Sequence, residues 1–237
     1  MLKNKVLKLI TLFFILTVSA IILVNFWLGR KGMSEYVGEK ITYDVRLGKI
    51  PLGKSTFSYI SKTEVDGKPL SIMIFDTRLA HFSDTEKIYS DTETFLPVRV
   101  ERKIFNGLSR EKITEEYDQE NFTVKITKKT LLREKTSVIQ KESSIHNAIL
   151  LPHHVRRLPD LAVGQTFFAN LPNHEFTMKL ISVEDIEIPA GTFKTYRFES
   201  TPKQITIWIS ADEHRIPVKI QGIGTYGYTM LMKEYTP

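Results

Sequence analysis

From Glu39 onward, apolar and polar residues alternate with period two. Ile41, Tyr43 and Val45 interleave with Thr42, Asp44 and Arg46, as in a strand that buries one face. The alternation returns in FTVKIT (122–127), FTMKLISV (176–183), FKTYRFES (193–200), ITIWIS (205–210) and TYGYTMLM (225–232), which together predict roughly a dozen strands. Asp66-Gly67 and Asn106-Gly107 stand between strand-like runs and tolerate the positive φ of two-residue hairpin turns. GKIPLG at 48–53 and the Pro-Ala-Gly corner of IEIPAGTFKTYRFES (186–200) are read as further chain reversals, the second shaping the sheet rather than touching a ligand. Connections this short predict an antiparallel meander, because parallel strands need long crossovers.

One segment breaks the pattern. In SSIHNAILLPHHVRRLP (143–159), Ile145, Ala148 and Ile149 fall on one side at helical spacing, and Ser143 or Ser144 offers an N-cap. Pro152 is expected to kink or end the first turns. The reading is a short, broken helix lying on the sheet, with Arg156 and Arg157 facing solvent.

A second kind of pattern occupies the N-terminus. LITLFFILTVSAIILVNFWL (9–28) carries no charge over 20 residues, enough as a helix to span a bilayer core of about 30 Å. Lys3, Lys5 and Lys8 precede it and Trp27 lies near its far end, favouring an anchor with its tail inside. Val18-Ser19-Ala20 also satisfies a cleavage site, so release to the periplasm after Ala20 is the alternative. The domains read as a membrane anchor or uncleaved signal (1–28), a linker (29–37) and a single antiparallel β domain (38–237).

Composition narrows the partners. The net charge of +6 falls to +3 from Gly29 onward, with 30 basic against 27 acidic residues, too little to argue for nucleic acid. The absence of cysteine excludes disulfides, thiol catalysis and lipid on an N-terminal Cys. His146, His153 and His154 make no HxxxH pair, and no phosphate-binding glycine loop or GxSxG elbow occurs, so neither cofactor nor metal is expected. GIGTYGY (222–228) reads as a glycine-relaxed strand, and Asp212-Glu213-His214 as a solvated turn. Asp84, Glu86, Asp91 and Glu93 are read as facing water. FLPVRVERK (95–103) and RIPVKIQG (215–222) echo each other as strand entries beginning at Pro.

GEKITYDVRLGKIPLGKSTFSY (38–59), DTETFLPVRVERK (91–103), LAVGQTFFANL (161–171), IEIPAGTFKTYRFES and ITIWISADEHRIPVKI resemble, in order and spacing, the bacterial domain-of-unknown-function family 3108. The resemblance covers residues 38–235. It implies an exported bacterial protein without an assigned activity, and a fold similar to the half-open antiparallel barrel of LolA/LolB-type lipoprotein carriers. The expected fold is therefore mainly β, a strongly curved antiparallel sheet around one short helix, preceded by a transmembrane helix. Its expected place is the bacterial inner membrane, with the domain in the periplasm.

Aromatic residues supply the candidate site. Phe57, Tyr59, Phe122, Phe176, Phe198, Trp208 and Tyr226, with Phe193 and Tyr228, are placed on the inner face of the sheet. If one helix leaves that concavity unfilled, it takes a lipid, an acyl chain or another apolar molecule. If the core is packed shut, the domain is an assembly module that pairs an edge with another envelope protein. A hydrolase would need a pocket holding a His and a carboxylate together.

Overall fold

The computed structural model describes residues 36–65, 67–222 and 227–237. Fourteen strands form one sheet: β1 (Lys40–Leu47), β2 (Ile50–Val65), β3 (Lys68–Leu79), β4 (Phe82–Asp91), β5 (Pro97–Phe105), β6 (Arg110–Asp118), β7 (Thr123–Lys129), β8 (Glu134–Gln140), β9 (Thr166–Asn170), β10 (Glu175–Ile188), β11 (Gly191–Thr201), β12 (Ile205–Ser210), β13 (Pro217–Gly222) and β14 (Tyr228–Thr236). Among the described residues one α-helix, α1 (Leu151–Arg156), lies between β8 and β9. Among the described residues no helix is long and apolar enough to cross a membrane; the run at 9–28, most of the linker and Tyr226 lie outside them.

Every pairing is antiparallel, as the short connections require. Two meanders, β1 to β8 and β9 to β14, are joined where β1 pairs with β14, which leaves β8 and β9 as the two edges of an unclosed sheet. The turns follow local chemistry. Ile188 pairs with Gly191 across Pro189-Ala190, so the Pro-Ala-Gly corner is a two-residue hairpin with Gly191 at φ +127, a value only glycine adopts readily. The Asn106 turn differs from the expectation. It holds four residues, because Phe105 pairs with Arg110 and Asn106 Oδ1 accepts the Ser109 N–H at 3.0 Å.

The helix also departs from the reading. Neither Ser143 nor Ser144 caps α1: its N-cap is Leu150, with no side-chain cap bond, and the turn before it is held by Asn147, whose Oδ1 accepts the N–H groups of Ile149 (2.8 Å) and Leu150 (3.2 Å). Pro152 then sits in the first turn of α1, where its missing N–H costs nothing. It starts the helix rather than breaking it.

Contacts from α1 show how the sheet bends. His153 stands 6.5 Å from the ring of Phe95, just before β5, while the next residue, His154, stands 6.4 Å from Phe167 in β9. β5 and β9 are ten places apart in strand order, about 48 Å in a flat sheet at about 4.8 Å per strand. A helix about 10 Å wide meets both only if the sheet rolls around it. Between the two edges, residues 143–146 fill in: Gln119 after β6 bonds the backbone of Ile145 on one side, and Asn170 at the end of β9 bonds Ser143 and His146 on the other.

Candidate functional site

The inner face is set by strand parity. A row of directly paired residues crosses six strands as Leu180, Phe198, Ile207, Ile220, Met230 and Val45, all of them buried. Phe57, paired with Ile41, continues this face onto β2, and Phe176 shares the face of Leu180 on β10. Tyr59 is buried there and donates its hydroxyl to Ser71 Oγ at 2.6 Å. Phe122 does not join them: it is a half-buried turn residue at φ +51, ahead of β7. Trp208 lies on the opposite face, directly between Arg197 and Lys219 in the register. Its ring is covered by both cations and its Nε1–H donates to Glu184 at 2.8 Å. The indole thus packs outside the concavity, sealed by charged side chains.

Residues 145–158 occupy the concavity. Ile145, Leu150, Leu151 and Val155 are buried against the sheet. His153 stacks on Phe57 with ring centroids 3.8 Å apart, and burial, reinforced by the Arg156 charge, pushes its pKa far down. His154 is held near 4 by burial, with His146 and Arg157 adding to the effect, so this segment presents neutral imidazoles. Arg156, expected in solvent, is instead buried. Its guanidinium donates to both oxygens of Glu39 (2.7 and 2.8 Å) and to the carbonyl of His214 (2.9 Å), and lies 4.3 Å from the ring of Tyr36. Burial opposes its charge, but the Glu39 carboxylate outweighs that and raises its pKa. Arg215 closes the far end of α1 by donating to the carbonyls of Arg156 and Leu158.

Beside the segment, among the described residues, lies an apolar gap of about 70 Å³, bounded by Tyr43, Phe57, Pro152, His153, Tyr228 and Met230 among others. That is room for a few waters, well below the roughly 300 to 1,000 Å³ of small-molecule pockets.

A polar cluster shares the inner face on β4, β5 and β6. Asp84 and Glu86 are buried, against the expectation that they face water. Arg102 holds Asp84 through both guanidinium arms and lies 3.3 Å from Glu86. Glu115 accepts the Tyr117 hydroxyl nearby. Burial lifts the Glu86 pKa to about 7, only partly offset by Arg102, so this carboxyl exchanges a proton near neutrality. Among the described residues no three His, Cys, Asp or Glu side chains are grouped to hold a metal. Asp212 is spent on its turn, accepting the N–H groups of His214 and Arg215.

Residues 42–233 match a family described as a protein of unknown function, DUF3108. The chain belongs to that family. No curated protein matches this DUF3108 chain. Solved structures similar to it include a β-barrel-like DUF1849 protein from Brucella abortus, at 9% identity and a TM-score of 0.48, covering 84% of this chain and 97% of the other. A Bacteroides fragilis protein with a YmcC-like fold matches at 9% identity and a TM-score of 0.32, over 85% of this chain and 96% of that one.

The buried polar residues of this DUF3108 domain had a signal in the sequence. Asp84 and Glu86 share the parity of Ile88, and all three point inward; the reading had put the carboxylates at alternate or turn positions facing water. Arg156 offered no such signal, because its partner Glu39 lies 117 residues away. The echo of FLPVRV and RIPVKI is structural as well: Phe95 and Arg215 both have positive φ, each stands two residues before a strand-opening Pro, and each contacts α1 or the residues that follow it.

Proposed function

We propose that this DUF3108 chain is a non-catalytic binding module of the bacterial envelope that works through its exterior, its half-open barrel being closed from within by its own residues 145–158. The observation that carries this reading is the burial of Ile145, Leu150, Leu151 and Val155 against the sheet, with His153 stacked on Phe57. The surface offered instead is edge β8. It is exposed along nearly its whole length, with Val138 65% accessible, whereas the other edge is covered at Asn170 by His146. An unpaired edge is a template for strand addition. The reading includes a periplasmic domain tethered by the charge-free run at 9–28, and a carrier-like barrel of the LolA/LolB kind.

Transfer of an acyl chain is the second reading, favoured by the apolar lining of the gap beside Pro152. It requires residues 145–158 to leave, and so the Arg156–Glu39 pair to break. Native mass spectrometry of detergent-free protein, with a photocrosslinker at Val138 in cells, separates the two. An apo mass with a discrete crosslinked partner, lost in Val138→Lys, supports the exterior module. Stoichiometric lipid without a crosslink overturns it in favour of the acyl carrier.

A further inference from the structure

We infer that the adjoining tips of the β5–β6 and β7–β8 hairpins form a docking surface for an anionic phospholipid bilayer. Because β6 pairs with β7, the turns at 106–109 and 130–133 stand side by side. Between them is an apolar cleft of about 610 Å³, whose lining includes Phe105, Leu108, Leu131 and Leu132 with Arg110 and Lys129. Leu108 is 100% exposed, Leu131 96% and Leu132 89%. The leucines do not shape their turns. Asn106 Oδ1 accepts the Ser109 N–H and hydroxyl, and Thr130 Oγ1 accepts the Arg133 N–H at 3.1 Å, so the loops would close equally well on polar residues. Three uncovered leucines on neighbouring loop tips form an apolar wedge that the fold itself does not use.

Behind the wedge lies a band of positive charge. Lys103, Lys112 and Lys129 are direct partners across β5, β6 and β7, about 4.8 Å from strand to strand. Like charges in direct register oppose the sheet. Lys129 has Glu134 at 3.2 Å, but Lys103 and Lys112 have no carboxylate partner among the described residues. Over 103–112 and 128–135 there are seven basic residues against two acidic, although the domain as a whole is close to balance. Phosphate headgroups relieve that repulsion while the leucines enter the acyl boundary, and long lysine side chains reach between the two layers. Narrow convex tips offer little flat area to a protein groove; a bilayer accepts a wedge of any outline. The inference stands apart from strand addition at β8.

The test uses the full-length chain in nanodiscs of neutral lipid. Because the chain has no cysteine, an environment-sensitive dye can be placed singly, at Leu131 or, as a control, at the exposed Val163. Vesicles of phosphatidylcholine alone, or with phosphatidylglycerol, are then added. The expected result is a blue shift at Leu131 with anionic vesicles only, absent at Val163 and lost near 1 M salt, where the Debye length is about 3 Å. Lys103→Glu with Lys112→Glu should weaken the partition at least about tenfold, and Leu108→Asp should weaken it without changing the melting temperature. No shift with anionic vesicles overturns the inference. So does an equal shift with neutral vesicles, or a shift without vesicles that follows protein concentration, which would assign the tips to a second copy of the chain.

Discussion

Replacing Arg156 with Met removes the charge that holds residues 145–158 in the concavity while keeping most of the side-chain volume. The guanidinium is about 1% exposed and Glu39 about 2%, so the variant leaves a carboxylate without its counter-ion where water cannot reach it, although Tyr235 still bonds it. It also leaves the His214 carbonyl without its donor and uncovers the face of Tyr36. Breaking one side of a buried pair costs about 3 to 5 kcal/mol, and the extra acceptor and cation–π contact place this pair in that range. For a domain of this size the loss corresponds to roughly 6 to 20 °C in Tm. Urea denaturation at pH 8 followed by circular dichroism measures it. Adding Glu39→Leu should restore most of the stability, because two apolar side chains carry no desolvation cost. A single-variant cost below about 1 kcal/mol, or a double variant no better than the single, would refute the account.

Two further predictions concern the sheet. Burial raises the folded pKa of Glu86 from 4.5 to about 7, so wild-type stability falls as pH rises through that window and the full penalty persists above it. Glu86→Gln should therefore stabilise the protein by up to about 3 kcal/mol at pH 8 and make no difference below pH 4.5; a destabilised variant at pH 8 would contradict the burial argument. Gly53→Ala places a Cβ 2.1 Å from the Arg78 carbonyl oxygen on the neighbouring strand, and should cost at least about 2 kcal/mol. Gly48→Ala, at φ +59 with open space around it, should cost only about 1 kcal/mol of backbone strain; at Gly53, φ +155, the close approach adds to such strain, and thermal melts of the two variants should show the larger loss there.

Much of the sheet was legible because its cause is local. Alternation, Gly48, Gly67 and the Pro189-Ala190 corner fix strands and reversals through the preferences of the residues themselves, and short connections leave an antiparallel meander as the economical arrangement. The quoted motifs likewise carried the DUF3108 membership. The segment at 143–159 was recognised, but the start of its helix was not, because Ser143, Ser144 and Asn147 are all able to accept backbone N–H groups and only packing decides where the helix begins. Trp208 was assigned to the inner face with the other aromatic residues, whereas strand parity and the flanking Arg197 and Lys219 put it outside. Arg156 and Asp84 read as solvated because a charge is buried only when a partner is supplied. Glu39 and Arg102 are supplied by the rolling of the sheet and by strand register. Period and turn chemistry, which act over a few residues, were thus determined by the sequence alone. Which face closed, which charges were enclosed and what packs into the concavity were decided by the tertiary structure, because these depend on contacts between residues tens to more than a hundred positions apart.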